Sequence, residues 1–182
     1  ALNWMVEQAD ELGIDTDRLA IGGASAGGGL AAGLALYNRD NNGPKLALQY
    51  LLYPMLDDTH DTPSGHAMTR NKTWYRDVSL KAWQMYLGDE YDTDKVSPYA
   101  APMCATDLTE LPRAFVTVGV ADLFRDEDIN YAQRLMAAGI PTDLEVYEGM
   151  CHGGEVIAPM AAVCQRMKNN YVDALKRGLA RT

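Results

Sequence analysis

Apolar positions along the chain keep two rhythms. Leu2, Met5, Val6, Ala9 and Leu12 recur every three or four residues, which predicts a helix with one buried face, and Gly13 stands where it closes. A short apolar run at 19–22 predicts a buried strand, and the small residues of 26–39 predict a helix stopped by Asn41-Asn42-Gly43-Pro44. Residues 46–53 are apolar almost without a break, as in a strand covered on both faces. Over 57–102 the rhythm loosens into an irregular excursion with one predicted helix, 78–87, ended by Gly88. A third strand is predicted at 114–118. After it, 126–138 reads as an amphipathic helix with acids in its first turn and Gly139 just beyond. Residues 142–147 alternate as a fourth strand, and a long terminal helix is expected to align Val156, Met160, Val163, Met167, Tyr171 and Leu175 on one face.

Strands alternating with helices imply an α/β fold: a parallel sheet, right-handed crossovers, helices on both faces. Ligands of such sheets bind beyond the carboxyl ends of the strands, so the residues that follow each strand carry the chemistry. Ser25 follows the first, Asp122 the third and His152 the fourth. Ser25 lies within Gly23-Ala24-Ser25-Ala26-Gly27, a G-x-S-x-G between a strand and a helix. That pentapeptide arises by chance in about 6% of chains this long, so its flanking elements and two partners carry the reading. The sharp turn is expected to need glycine at both flanks, where a Cβ would collide. A serine hydroxyl needs a base to take its proton during attack, and histidine has the intrinsic range to take and return it. Asp122 would hold the imidazole tautomer, and the Ala26 backbone N–H would supply one oxyanion donor.

The remaining candidates are weaker. Asp126 and Asp128 also follow the third strand, but they fall in a helix's first turn and read as dipole partners. His60 and His66 lie among Asp, Thr, Pro and Ser and read as surface residues, and Asp57-Asp58 as a turn anchor. Cys151 adjoins His152, but neighbouring side chains diverge. Trp74, Tyr75, Trp83 and Tyr86 either cover the rim of the site or, with Leu80 and Leu87, form only a helix's core face. No metal-ligand spacing occurs, and residues 22–29 lack the Lys-Ser/Thr of a phosphate loop.

The chain's 182 residues suit one domain with a true core. Sixteen basic against 25 acidic residues, a net charge of −9, argue against nucleic acid and anionic membrane surfaces. The longest mostly apolar run, 46–56, is too short to span a bilayer. Three cysteines without C-x-x-C spacing read as free thiols of a reducing compartment, hence a cytoplasmic location.

Longer stretches carry a resemblance. Asp17-Arg18-Leu19-Ala20 leads into Gly-Ala-Ser-Ala-Gly-Gly; Leu52-Tyr53-Pro54-Met55-Leu56-Asp57-Asp58 and Val96-Ser97-Pro98-Tyr99-Ala100-Ala101-Pro102 follow; then come Asp122 with Arg125-Asp126-Glu127, Tyr131-Ala132-Gln133-Arg134-Leu135, Ala138-Gly139 and His152-Gly153. Over nearly its whole length the chain resembles the hormone-sensitive-lipase-like branch of bacterial α/β-hydrolase esterases. The resemblance implies Ser25 as nucleophile, Asp122 as acid and His152 as base, in hydrolysis of carboxylic esters with short to medium acyl chains and no cofactor.

It also sets departures. The family usually has an acid where Ala24 stands, Pro where Leu123 stands and Phe where Gly154 stands. Its H-G-G-G stretch, source of most oxyanion donors, has no counterpart here, because the one His-Gly-Gly is 152–154. The expectation is therefore the C-terminal part of an esterase, a single domain over 1–182 without its first strands and cap. With one flank unfilled, the 19–22 strand should present an open edge and invite self-association. A catalytic esterase portion and a non-catalytic scaffold or binding fragment both remain open.

Overall fold

The computed structural model describes residues 1–69 and 73–180; within the 57–102 excursion, 70–72 lie outside the described residues. The chain opens with α1 (Leu2–Glu7) and α2 (Ala9–Leu12) in place of one continuous helix. Gln8 breaks it, with φ −101° and ψ 12°, and Gly13 closes α2 in the left-handed conformation. Strand β1 (Ala20–Ala24) passes through Ser25 into α3 (Ala26–Asp40), and β2 (Leu48–Leu52) follows. The excursion holds α4 (Pro63–Ala67) and α5 (Arg76–Leu87). Strand β3 (Ala114–Ala121), α6 (Arg125–Ala137), β4 (Thr142–Cys151), α7 (Gly154–Ile157) and α8 (Ala162–Gly178) complete the order.

The four strands form one parallel sheet in the order β1-β2-β3-β4. Leu51 and Val116 pack one face against Ala32, Ala35 and Leu36 of α3 and Tyr131, Ala132 and Leu135 of α6. Leu48, Tyr50 and Phe115 face the other way, against Ala174, Tyr171 and Leu175 of α8. Burial on both faces explains why β2 and β3 read as apolar runs instead of alternating. Strand β1 pairs only with β2 among the described residues, so its other edge is open, and Ala20, Gly22 and Ala24 are exposed.

One long expected element is absent. The terminal helix is two, because Pro159 lacks the N–H that a helix interior needs and sits between α7 and α8. Val156 and Met160 are consequently 77% and 84% exposed and do not join the face on which Met167 is buried. The excursion has a small core of its own: Met55, Trp83 and Ala101 pack with Leu123 and Phe124, so it is anchored on the loop that follows β3.

Candidate active site

Ser25 sits at the crossing from β1 into α3 with φ 57° and ψ −124°, a conformation that non-glycine residues rarely hold and that marks functional sites. Two bonds fix the strain: Ser25 N–H donates to Leu52 O at 2.9 Å, and Met55 N–H donates to Ser25 O at 3.0 Å. Gly23 is required, since a Cβ there would meet the Gly27 carbonyl and lie 2.9 Å from Gly28 N. Gly27, however, has open space where its Cβ would be, so the expectation of collision at both flanks fails on that side. Gly27 instead lines the groove beside the open edge of β1, so a Cβ there has nothing to strike.

Asp122 lies in the turn beyond β3, fully buried, with one carboxylate oxygen accepting the Phe124 N–H at 3.0 Å. His152 follows β4, whose register against β3 shifts between Gly119 and Ala121. The extra residues form a bulge around Gly149 (φ 75°), the kind of irregularity that re-aims the side chain beyond it. Met150 O crosses so close to Gly119 that no Cβ fits there.

The three side chains meet. Ser25 Oγ stands 2.9 Å from His152 Nε2, and His152 Nδ1 stands 3.1 and 3.0 Å from the two oxygens of Asp122. A neutral imidazole with its proton on Nδ1 satisfies both contacts, donating to Asp122 and accepting from Ser25. Three aromatic rings surround it: Tyr53 at 4.9 Å and Phe124 at 5.0 Å between centroids, and Trp74 at 6.3 Å. Tyr53 donates its hydroxyl to Glu155, three residues beyond His152; burial, and then Glu155, push that hydroxyl's pKa up, so it stays a donor.

Beside Ala26, the residue after Ser25, lies an apolar cavity of about 190 Å³ bounded also by Gly29, Leu30, Met55, Ala82, Trp83 and Tyr86. Both readings of the aromatics therefore hold in part. Trp83 is 1% exposed in the excursion's core and still lines this cavity, Trp74 faces His152, and Tyr75 stands just before α5 without a side-chain bond to it.

Other candidates sort differently. Asp57 anchors its turn, accepting from Thr59 N and Oγ1, and His66 is an exposed partner of Asp61. Asp126 sits in the first turn of α6 and takes the Ser64 N–H at 2.7 Å, whereas Asp128 is fully buried with no hydrogen-bond partner on either oxygen among the described residues. His60 is not a surface residue. It is wholly buried, with Nδ1 3.1 Å from Glu127 and Nε2 2.8 Å from Ser79. Its polar neighbours in sequence gave no sign of this, because the partners stand 67 and 19 positions away. All three cysteines are free thiols. No described helix is long and apolar enough to cross a membrane.

A buried acid behind a histidine behind a serine, all at the carboxyl ends of parallel strands, defines the α/β-hydrolase class. A family model described as the alpha/beta hydrolase fold matches residues 1–155. The carboxylesterase NlhH of Mycobacterium tuberculosis is 35% identical over 98% of the chain, and an arylesterase of Saccharolobus solfataricus is 38% identical over 78%. The solved structure of a bacterial heroin esterase superposes with a TM-score of 0.96 at 42% identity over 99% of the chain. The chain belongs to the hormone-sensitive-lipase-like esterase family of α/β-hydrolases. It spans 56% of the length of NlhH, 46% of the arylesterase and 57% of the heroin esterase chain.

Proposed function

We propose that the chain is the triad-bearing part, within a single domain, of a serine carboxylesterase acting on esters with short to medium acyl chains. The continuous series Ser25–His152–Asp122, with contacts of 2.9 to 3.1 Å, is the observation that carries this. In the proposed reaction His152 Nε2 takes the Ser25 proton as Oγ attacks the ester carbonyl. Asp122 keeps the imidazole oriented and offsets its charge once protonated. The Ala26 N–H faces the developing oxyanion from the first turn of α3, where N–H groups lack helical partners. His152 returns the proton to the leaving alcohol, and water, activated by the same base, releases the acid from Ser25. The cavity beside Ala26 is apolar and small, which suits a short hydrocarbon chain, and the proposed steps draw on no cofactor.

A fluorophosphonate probe tests this directly. One equivalent bound at Ser25, and none in Ser25→Ala, is the expected result. An unreactive Ser25 in the folded chain would move the assignment to a non-catalytic scaffold.

Self-association through the open edge of β1 is proposed on the same footing. Apolar grooves run along both sides of that edge, one with Leu2, Met5, Leu30 and Leu34, the other with Tyr50, Leu52 and Leu175. Unpaired strand edges between apolar walls recruit further strands. A cytoplasmic location is proposed from the three free thiols.

A further inference from the structure

Behind the acid loop lies a second series of the same chemical types. Ser79 Oγ stands 2.8 Å from His60 Nε2, and His60 Nδ1 stands 3.1 Å from Glu127 Oε2. All three residues are fully buried, so none can meet a substrate. Glu127 Oε1 also accepts the backbone N–H groups of Leu56 at 2.9 Å and Asp57 at 3.2 Å. One carboxylate therefore ties the start of α6 to the loop leaving β2, and through His60 to α5. Ser64 reinforces the tie: its N–H donates to Asp126, its hydroxyl donates to Leu123 O at 2.9 Å and accepts from the Asp126 N–H at 3.1 Å.

The series reaches the triad through one ring. His60 stacks on Phe124 with centroids 5.6 Å apart and planes at 26°, and Phe124 meets His152 edge-on at 5.0 Å and 90°. The Phe124 N–H is in turn a hydrogen-bond donor to Asp122. Apolar residues could fill the same volume at less desolvation cost, but they would not fix direction as a satisfied polar series does.

We propose that His60, clamped between Ser79 and Glu127, is a positioning residue for the triad: it sets the Phe124 ring and backbone, and thereby where the Asp122 carboxylate meets His152. This rests on the esterase reading for its catalytic meaning, but not for its geometry.

Two measurements on the full 182-residue chain separate the two: the rate of fluorophosphonate capture by Ser25, and the NMR resonance of the His152 Nδ1 proton facing Asp122. His60→Phe keeps an aromatic ring on Phe124 and removes both polar ties. It is expected to fold, by circular dichroism, yet to lose capture rate by about 10- to 100-fold, the scale of a displacement near 1 Å at a reacting centre. The His152 resonance should shift or broaden with it. Glu127→Gln, with His60 in place, should keep both readouts near wild type, because the amide oxygen still accepts from Leu56 and Asp57. Its NH₂ donates to His60, which then carries its proton on Nε2 and donates to Ser79. A folded His60→Phe chain with wild-type rate and resonance overturns the proposal. If His60→Phe does not fold, Ser79→Ala decides: a displaced His152 resonance supports the clamp and an unmoved one overturns it. Should wild-type Ser25 prove unreactive, the esterase reading falls, and the resonance still decides the clamp.

Discussion

The two glycines flanking Ser25 look equivalent in sequence and should behave as opposites. An added methyl at residue 23 lies 2.9 Å from Gly28 N and closer still to the Gly27 carbonyl, all of it backbone. Carbon and its neighbours want about 3.5 Å, so β1 and the first turn of α3 would have to part by roughly 1 Å. No side chain can rotate away to absorb this, which places Gly23→Ala at the upper end of overpacking costs, about 3 kcal/mol. The displaced segment carries the nucleophile. A shift of that size should slow fluorophosphonate capture at Ser25 by about 100-fold, even where the chain stays folded. At residue 27 nothing lies within 4 Å of the new methyl, and the residue is helical, so Gly27→Ala should stabilise the chain by about 0.5–1 kcal/mol. Urea unfolding and capture rate, measured on both variants, check the pair. Equal losses in the two, or a Gly23→Ala chain with wild-type capture, would refute this account of the turn.

Other outcomes follow from the same structure. Burial pushes His60 down to about 4 from its usual 6.5, with Arg76 pushing the same way and Asp57 and Asp58 opposing. The unfolded chain thus binds the proton first as pH falls, and wild type should lose up to roughly 3 kcal/mol between pH 6.5 and 4 that His60→Phe does not, read as a difference in urea midpoints. Ala82→Leu should crowd the cavity beside Ala26 and lower the preference of Ser25 for long- over short-chain alkyl fluorophosphonates by about tenfold, whereas equal capture of both would place the chain of the ligand elsewhere. Size-exclusion chromatography should show the chain associated and Ala20→Lys, with a charge on the β1 edge, shifted toward monomer; a wild-type monomer at high concentration would remove the edge as an adhesive surface.

What could be read beforehand divides along a physical line. Periodicity and turn residues are local signals, and they placed all four strands and the helices after β1 and β3. The geometry of Ser25, Asp122 and His152 followed from one topological rule about strand ends. Pro159 was equally local, yet the apolar spacing across it read as one helix, although proline's missing N–H forbids it. His60 was a different kind of miss. Whether a histidine among polar residues is wet or buried depends on Glu127 and Ser79 arriving from α6 and α5, and nothing in residues 57–66 encodes that. Asp128 likewise has its place in the first turn of α6, where acids are common, but its burial is set by neighbours from elsewhere in the chain.

The site also separates two tasks that catalysis needs together. In the proposed reaction proton transfer rests on groups of this chain: β1, β3 and β4 present them, the excursion is pinned to the acid loop by Glu127, Asp126 and Ser64, and the rings of Tyr53, Phe124 and the excursion's Trp74 surround the base. Stabilisation of the oxyanion rests here on the proposed Ala26 N–H, beside the open edge of β1. Loss of a single such donor lowers kcat by ~10²–10³-fold in enzymes that have several. Turnover of p-nitrophenyl acetate by the 182-residue chain should therefore fall far below the ~10 s⁻¹ typical of enzymes. A fluorophosphonate has a reactive phosphorus centre and a good leaving group, and a single capture needs less help from oxyanion donors than repeated turnover of an ester. Its capture should then survive where ester turnover does not. The ratio of the two rates thus measures how strongly the reaction leans on oxyanion donors, and a chain that turns over the ester as readily as it captures the probe would show that further donors act beside the Ala26 N–H.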